Sequence, residues 1–318
     1  MEQKTSLGRS DLLVPRLGVG AMTWGDAHGL ARLHPAKIAY GGAHGFDEEK
    51  RAFEASLAAG VSLFDTAAMY SGGASERRVG ELARGQDVLI ASKFPGGFSF
   101  RAEGFPKELD ASLARLGRES IDLYQHHFPN PRVSIPQLME RLADAVEAGK
   151  VRAVGVSNYS AAQMREAHEA LARRGIPLAS NQVEYSLLHR QPETNGVLEA
   201  CKELGVTLIA YSPLAMGALT GKYSATQKAS GLRRFLPNFN RKSMDAVQPV
   251  VALLRQIGER YSKTPGQVAL RWLIENPLVL PIPGAKNGKQ ATDNAAALSF
   301  CLTADEVEAL SQATLAWK

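Results

Sequence analysis

The chain has 318 residues, 45% hydrophobic and 22% charged, which is ordinary for a globular protein and enough to bury a sizeable core without staples. A net charge of +5 without any long run of like charges argues against a nucleic-acid partner and leaves room for an anionic small molecule. The two cysteines, Cys201 and Cys301, have neither CxxC nor metal spacing, so the expectation is a reducing compartment and no metal site.

The first residues, Met1-Glu2-Gln3-Lys4-Thr5, are polar, and no stretch nears the roughly 18 apolar residues of a membrane span. A soluble, cytoplasmic protein is the expectation. Residues 7–14 read as a small hairpin with Gly8 and Asp11 at its turn. Eight short apolar runs then read as strands, around 18–22, 63–65, 88–93, 123–127, 153–156, 180–183, 207–210 and 278–281. Amphipathic segments alternate with them at 47–59, 75–84, 106–116, 136–148, 161–173, 196–204 and 245–261. Gly60, Gly149, Gly175 and Gly205 punctuate helix ends, and Ser75 with Glu76 reads as a helix start.

Eight strand–helix units predict an α/β fold, a closed parallel (β/α)8 TIM barrel over 1–318 as a single domain. An open dinucleotide-binding sheet would need GxGxxG after an early strand. Gly18-Val19-Gly20 is followed instead by Ala21-Met22-Thr23, so that alternative is rejected. Two long loops, 25–45 and 214–244, follow the first and seventh strands, and on a barrel both lie at the C-terminal face where active sites are built.

Four polar side chains stand at or just past strand ends: Asp65, Tyr70, Lys93 and His127. An acid, a phenol, an ammonium and an imidazole converge there only if the strands run parallel and side by side. Carbonyl reduction needs a proton donor where alkoxide character develops. Tyr70 is the candidate acid, but a free phenol with pKa about 10 holds its proton tightly. A neighbouring Lys93 ammonium favours the phenolate, and Asp65 pairs with Lys93. Taken singly, each of the four also has a structural reading as a satisfied core or scaffold residue.

The motifs around these residues carry a resemblance. Phe64-Asp65-Thr66-Ala67-Ala68-Met69-Tyr70 followed by Ser75-Glu76, Ala91-Ser92-Lys93, and Asp122-Leu123-Tyr124-Gln125-His126-His127-Phe128-Pro129 occur in that order. Gly155-Val156-Ser157-Asn158-Tyr159, Asn181-Gln182-Val183-Glu184-Tyr185-Ser186, Ala210-Tyr211-Ser212-Pro213-Leu214-Ala215-Met216-Gly217 and Pro281-Ile282-Pro283-Gly284-Ala285-Lys286-Asn287 through Asp293-Asn294 follow. Together they resemble the aldo-keto reductase superfamily over nearly the whole chain. Gly175 to Gln182 and Gly217 to Tyr223 are similar to the plant and bacterial pyridoxal-reductase-like members.

The resemblance implies an NADPH-dependent reductase of aldehydes, with ketones or pyridoxal as further substrates, in which Asp65, Tyr70, Lys93 and His127 are catalytic. The family's imidazole precedes an aromatic–Pro pair, which selects His127 over His126; His126 stands where the pattern is usually apolar, and Phe128 where it more often has Trp. By the same carry-over Ser157, Asn158 and Gln182 hold the nicotinamide carboxamide and Tyr211 stacks on its ring. Ser212, Leu214 and Gly217 wrap the pyrophosphate, while Gly284, Lys286, Gln290 and Asn294 surround the adenosine end, with Lys286 suited to a 2′-phosphate. Arg233 and Arg234 are an additional clamp or a solvated pair. Trp24 and Phe128, with Met69, Phe94 and the 34–44 loop, are expected to line the substrate pocket. The partner is thus a small-molecule carbonyl, with a monomer as the default. The alternatives are a redox-sensing, cofactor-binding regulatory subunit with little turnover, and a Schiff-base lyase using Lys93 as nucleophile.

Overall fold

The computed structural model describes residues 4–26, 45–95, 102–224 and 239–318. Strands β1 (Lys4–Ser6) and β2 (Leu13–Pro15) pair antiparallel, Lys4 opposite Pro15. Only Leu13 and Val14 of the ladder fall within the expected 7–14, because residues 7–12 form the turn itself. That turn plugs the barrel floor: Leu7 and Leu12 are buried with Leu63, Ala91, Leu123 and Ile209. Gly8 has to be glycine, since at φ +58° a Cβ would lie 2.5 Å from the Ala179 carbonyl oxygen.

Eight parallel strands follow in chain order: β3 (Val19–Gly20), β4 (Leu63–Asp65), β5 (Leu89–Phe94), β6 (Ile121–His126), β7 (Val151–Ser157), β8 (Leu178–Glu184), β9 (Thr207–Tyr211) and β10 (Val279–Pro281). Each pairs with the next. The ends meet through Gly18 N–H to Pro281 O and Gly20 N–H to Pro283 O, both 3.0 Å, and a parallel bridge between Gly20 and Gly284. The sheet is a closed (β/α)8 barrel, as the alternation predicts.

Helices α1 (Phe46–Ala58), α2 (Ala74–Leu82), α3 (Phe105–Leu116), α4 (Ile135–Glu147), α5 (Ala161–Ala172), α6 (Val197–Leu204) and α7 (Arg241–Tyr261) match the seven expected segments. Three more, α8 (Pro265–Glu275), α9 (Gly288–Ala295) and α10 (Ala304–Ala313), complete the described α-helices. Helix α7 starts four residues before the expected 245, where the Asn240 side chain accepts from Ser243 N–H at 2.8 Å. Ser75 does not cap α2. Gly73 is the N-cap, and the Ser75 hydroxyl donates instead to Ala21 O.

Successive strand residues face opposite ways. Leu63, Ala91, Leu123 and Ala153 fill the barrel floor, while their neighbours Phe64, Ile90, Tyr124 and Val154 belong to the larger core shared with the helices. Two residues further along each inward column stand Asp65, Lys93, Gln125 and Gly155. The columns are therefore apolar at the floor and polar near the C-terminal rim. This alternation is what brings side chains from separate strands into one cluster.

Candidate active site

A cavity of about 1050 Å³ opens at the C-terminal rim. Asp65, Met69, Tyr70, His127 and Phe128 line it, with Ser157, Asn158, Gln182 and Tyr211, and with Ser212, Leu214, Gly217, Gly284, Lys286, Gln290 and Asn294. Among the described residues, all of the expected site residues face this one space except Lys93, which lies beneath the wall, Trp24 and Phe94. Met22, Thr23, Met216, Lys222 and Gln267 also line it without having been singled out.

Lys93 is fully buried, and its Nζ donates to Asp65 Oδ1 at 2.6 Å and to Thr66 O at 2.8 Å. Burial pushes the ammonium below its ordinary pKa, and the Asp65 charge opposes that shift. Lys93 Nζ lies 5.1 Å from the centroid of the Tyr70 ring, a cation–π contact. Tyr70 meets His127 edge-on, ring centroids 5.6 Å apart and planes at 82°. Tyr70 sits at a turn where Ser71, Gly72 and Gly73 all have positive φ, which projects the phenol from the loop after β4.

The brace beneath this turn is polar and buried. Ser75 Oγ lies 2.7 Å from Thr66 Oγ1, and Glu76 accepts from Ser92 Oγ and from Arg115 Nε, both at 2.5 Å. The Ser-Glu pair of the motif therefore ties α2 to β5 and α3.

The adjacent histidines part as strand alternation requires. His127 lines the cavity, stacked on Phe128 with centroids 4.5 Å apart and planes at 6°. Burial, then the charge of Lys93, then His126 push its pKa down to about 2, so the imidazole is neutral near pH 7. His127 Nδ1 is buried with no partner among the described residues. His126 turns outward, stacks on Phe94 and places Nδ1 2.7 Å from Tyr159 Oη. Burial lowers its pKa to about 3.

The residues expected around a nicotinamide are bonded to one another. Ser157 Oγ donates to Gln182 O at 2.8 Å, and Asn158 Nδ2 donates to His127 O and Ser157 Oγ, both at 3.1 Å. Tyr211 Oη donates to Asn158 Oδ1 at 3.1 Å, which holds its half-buried ring in the wall. Asn158 takes φ +61°, and Ser212, Ala215, Met216 and Gly217 all take positive φ, a tight winding at the start of the loop after β9. The winding is closed by Ala215 N–H to Ser212 O at 2.8 Å and Gly217 N–H to Leu214 O at 2.9 Å. After β10, Lys286 N–H donates to Gln290 Oε1, Gln290 N–H to Asn287 Oδ1 and Asn294 Nδ2 to Gly284 O, which fixes the entry to α9.

Two expected pocket residues do not face the cavity. Trp24 is fully buried in the core against Phe64, its indole N–H donating to Ala285 O at 2.7 Å. The 21–24 turn, closed by Trp24 N–H to Ala21 O, rolls the ring inward. Phe94 is also fully buried, packed edge-on to Phe105, because it follows the inward Lys93 and so faces the helices. Met69 and Phe128, by contrast, are among the few large apolar side chains left exposed. Arg233, Arg234 and the 34–44 loop lie outside the described residues.

The model of the Aldo/keto reductase family matches residues 16–314. The chain is 36% identical to an aldo-keto reductase of Strobilurus tenacellus over 94% of its length and 88% of the relative's. It is 35% identical to the chloroplastic pyridoxal reductase of Arabidopsis thaliana, covering 96% of this chain and 84% of that one. Against an NADP(+) aldo-keto reductase of Schizosaccharomyces pombe it is 33% identical, over 80% and 78%. The crystal structure of an aldo-keto reductase from Klebsiella pneumoniae in complex with NADPH superposes with a TM-score of 0.74 at 27% identity, covering 98% of this chain and 95% of that one. With its closed barrel, its rim cluster and a family match spanning nearly every residue, the chain belongs to the aldo/keto reductase family.

Proposed function

We propose that this protein is an NADPH-dependent reductase of small-molecule aldehydes, ketones and pyridoxal being further candidates, with Tyr70 as general acid. The observation that carries the reading is the cluster on the cavity wall, where Tyr70 and His127 meet edge-on beside the Asp65–Lys93 pair.

The cavity is large enough for a dinucleotide, and its residues suit one. Tyr211 offers a ring face, the wound segment carrying Ser212, Leu214 and Gly217 offers a wall for the pyrophosphate, and Lys286 beside the N-terminus of α9 offers a cation for a 2′-phosphate. When bound, NADPH supplies the hydride that the carbonyl carbon receives. Tyr70 gives its phenolic proton to the carbonyl oxygen as that oxygen gains charge, completing the alcohol. The Lys93 ammonium stabilises the phenolate left behind, and Asp65 keeps that ammonium charged against its burial. His127, neutral near pH 7, hydrogen-bonds and orients the carbonyl without competing for the proton. Neither Cys201 nor Cys301 forms a disulfide, and no helix among the described residues is long and apolar enough to cross a membrane.

The lyase reading asks Lys93 to attack a substrate, but Lys93 does not line the cavity and is bonded to Asp65 and Thr66. A carbonyl panel that includes pyridoxal, assayed with NADPH and with NADH, tests the leading reading. Turnover with NADPH is expected, and Tyr70→Phe is expected to lose about 100-fold or more in kcat with the Kd for NADPH unchanged. Wild-type turnover by Tyr70→Phe removes the assignment. Tight NADPH binding with no turnover on any carbonyl points to the regulatory subunit.

A further inference from the structure

We infer that Gln125 is a positioning residue for this reaction, an amide sealed inside the barrel that fixes which way round the Gln182 amide sits and holds Asp65 in place; this rests on the reductase reading above. Gln125 is fully buried on β6, between Leu123 below it and His127 above it in the same inward column. It does not line the cavity, so it touches neither substrate nor cofactor. A leucine or methionine would fill this place without burying an amide, so the polar group needs a reason. Space is made for it: a Cβ on Gly155 would lie 2.8 Å from Gln125 Cγ.

The amide closes a ring of three groups. Gln125 Nε2 donates to Asp65 Oδ2 at 3.4 Å, and Gln125 Oε1 accepts from Gln182 Nε2 at 3.5 Å. Gln182 Nε2 also donates to the same Asp65 oxygen at 2.9 Å. The two bonds of Gln125 are long, so they orient more than they bind. They reinforce the 2.9 Å bond to Asp65 in setting which way round the Gln182 amide sits. Turned over, the Gln182 amide would set its oxygen against both a carboxylate and a carbonyl. As it stands, Gln182 Nε2 points inward, and Oε1, which has no hydrogen bond among the described residues, is the atom left to accept an N–H from a carboxamide in the cavity. Asp65 in turn has Oδ1 on Lys93 and Oδ2 on two amides, so its carboxylate does not rotate away from the ammonium.

The charged and titratable groups around Asp65 are Lys93 on β5, Tyr70 past β4, His127 past β6, and Glu76 on α2, which acts through Lys93. From β8 only the uncharged Gln182 faces it. A carboxyl put in place of the Gln125 amide would therefore share one proton with Asp65. Protonated, it keeps the donor and the acceptor of the amide; ionised, it repels Asp65.

The test compares wild type, Gln125→Leu and Gln125→Glu, with thermal melting as a check on folding. NADPH Kd is read from fluorescence quenching and kcat/KM is read across pH. Gln125→Leu should weaken NADPH binding about threefold to tenfold and lower kcat/KM about tenfold or more at every pH. Gln125→Glu should match wild type on the acid side and lose both binding and turnover as pH rises, along a limb that wild type lacks. A folded Gln125→Leu with wild-type Kd and kcat/KM, or a Gln125→Glu profile with no new limb, overturns the inference; if the Leu variant folds poorly, the near-isosteric Glu variant decides. A wild type inert toward every carbonyl sinks the reductase reading instead, and the NADPH affinities still judge the hold of Gln125 on Gln182.

Discussion

The Asp65–Lys93 pair shows what a single buried contact decides. Both groups are almost wholly removed from water, and an ammonium there is tolerated only because a carboxylate lies 2.6 Å away. Removing one partner leaves an uncompensated charge, which costs about 3–5 kcal/mol, whereas replacing both by apolar groups of similar volume is close to neutral. Asp65→Leu is therefore expected to lose about 3–5 kcal/mol in urea unfolding, and Asp65→Leu with Lys93→Met to recover most of it, while both stay inactive. Recovery of stability without recovery of turnover separates the pair's catalytic use from its structural cost; a double variant no more stable than Asp65→Leu contradicts this. At this scale the sequence was legible wherever a polar side chain interrupts an apolar run, as Asp65, Lys93 and His127 do. It was less legible where the decision lies in which way a side chain turns. Trp24 read as pocket and packs in the core; Phe94 read as pocket although it neighbours the inward Lys93. Gln125 gave no signal, because an amide inside a hydrophobic strand looks like any other polar interruption until its partners on β4 and β8 are in place.

At the scale of the element, the strands were located within a few residues because each is a short apolar run bounded by polar or glycine residues. The helices followed from their periodicity. What escaped is α8, α9 and α10, and the first turn of α7, where Arg241, Lys242 and Ser243 carry no apolar period and only the Asn240 cap marks the start. Strand β7 holds a subtler requirement. Gly155 reads as part of a motif, yet its physical role is to be absent: a Cβ there would lie 2.4 Å from Ser180 Oγ and 2.8 Å from Gln125 Cγ. Ser180 is itself fully buried, with a hydroxyl that has no partner among the described residues. Gly155→Ala should overpack this layer at a cost of about 1–3 kcal/mol. Adding Ser180→Ala removes the nearer clash, so the double variant should be more stable than the sum of the single effects predicts. Strict additivity in chemical denaturation would show that the layer relaxes around the new methyl group by another route.

Across the whole molecule, the barrel sets a protonation cost that no single motif displays. Burial holds His126 at about 3 and His127 at about 2, against about 6.5 for a histidine in the unfolded chain. Between those values the unfolded chain binds more protons than the native one, so stability is full above pH 6.5 and is lost as pH falls toward the folded values. The two side chains together should cost about 2–3 kcal/mol between pH 7 and pH 5.5, a window that lies above the range where ordinary carboxylates titrate. His126 also tests the family pattern, since it occupies a position that is usually apolar and spends its Nδ1 on the Tyr159 hydroxyl. His126→Leu removes that bond and one of the two protons, so it should be less stable than wild type at pH 7 by about 1–3 kcal/mol, but with about half the loss on going to pH 5.5. Urea unfolding at the two pH values measures both. An unchanged pH slope in His126→Leu would mean that His126 takes up its proton in the folded barrel, and the barrel's acid sensitivity would then have to come from His127 alone.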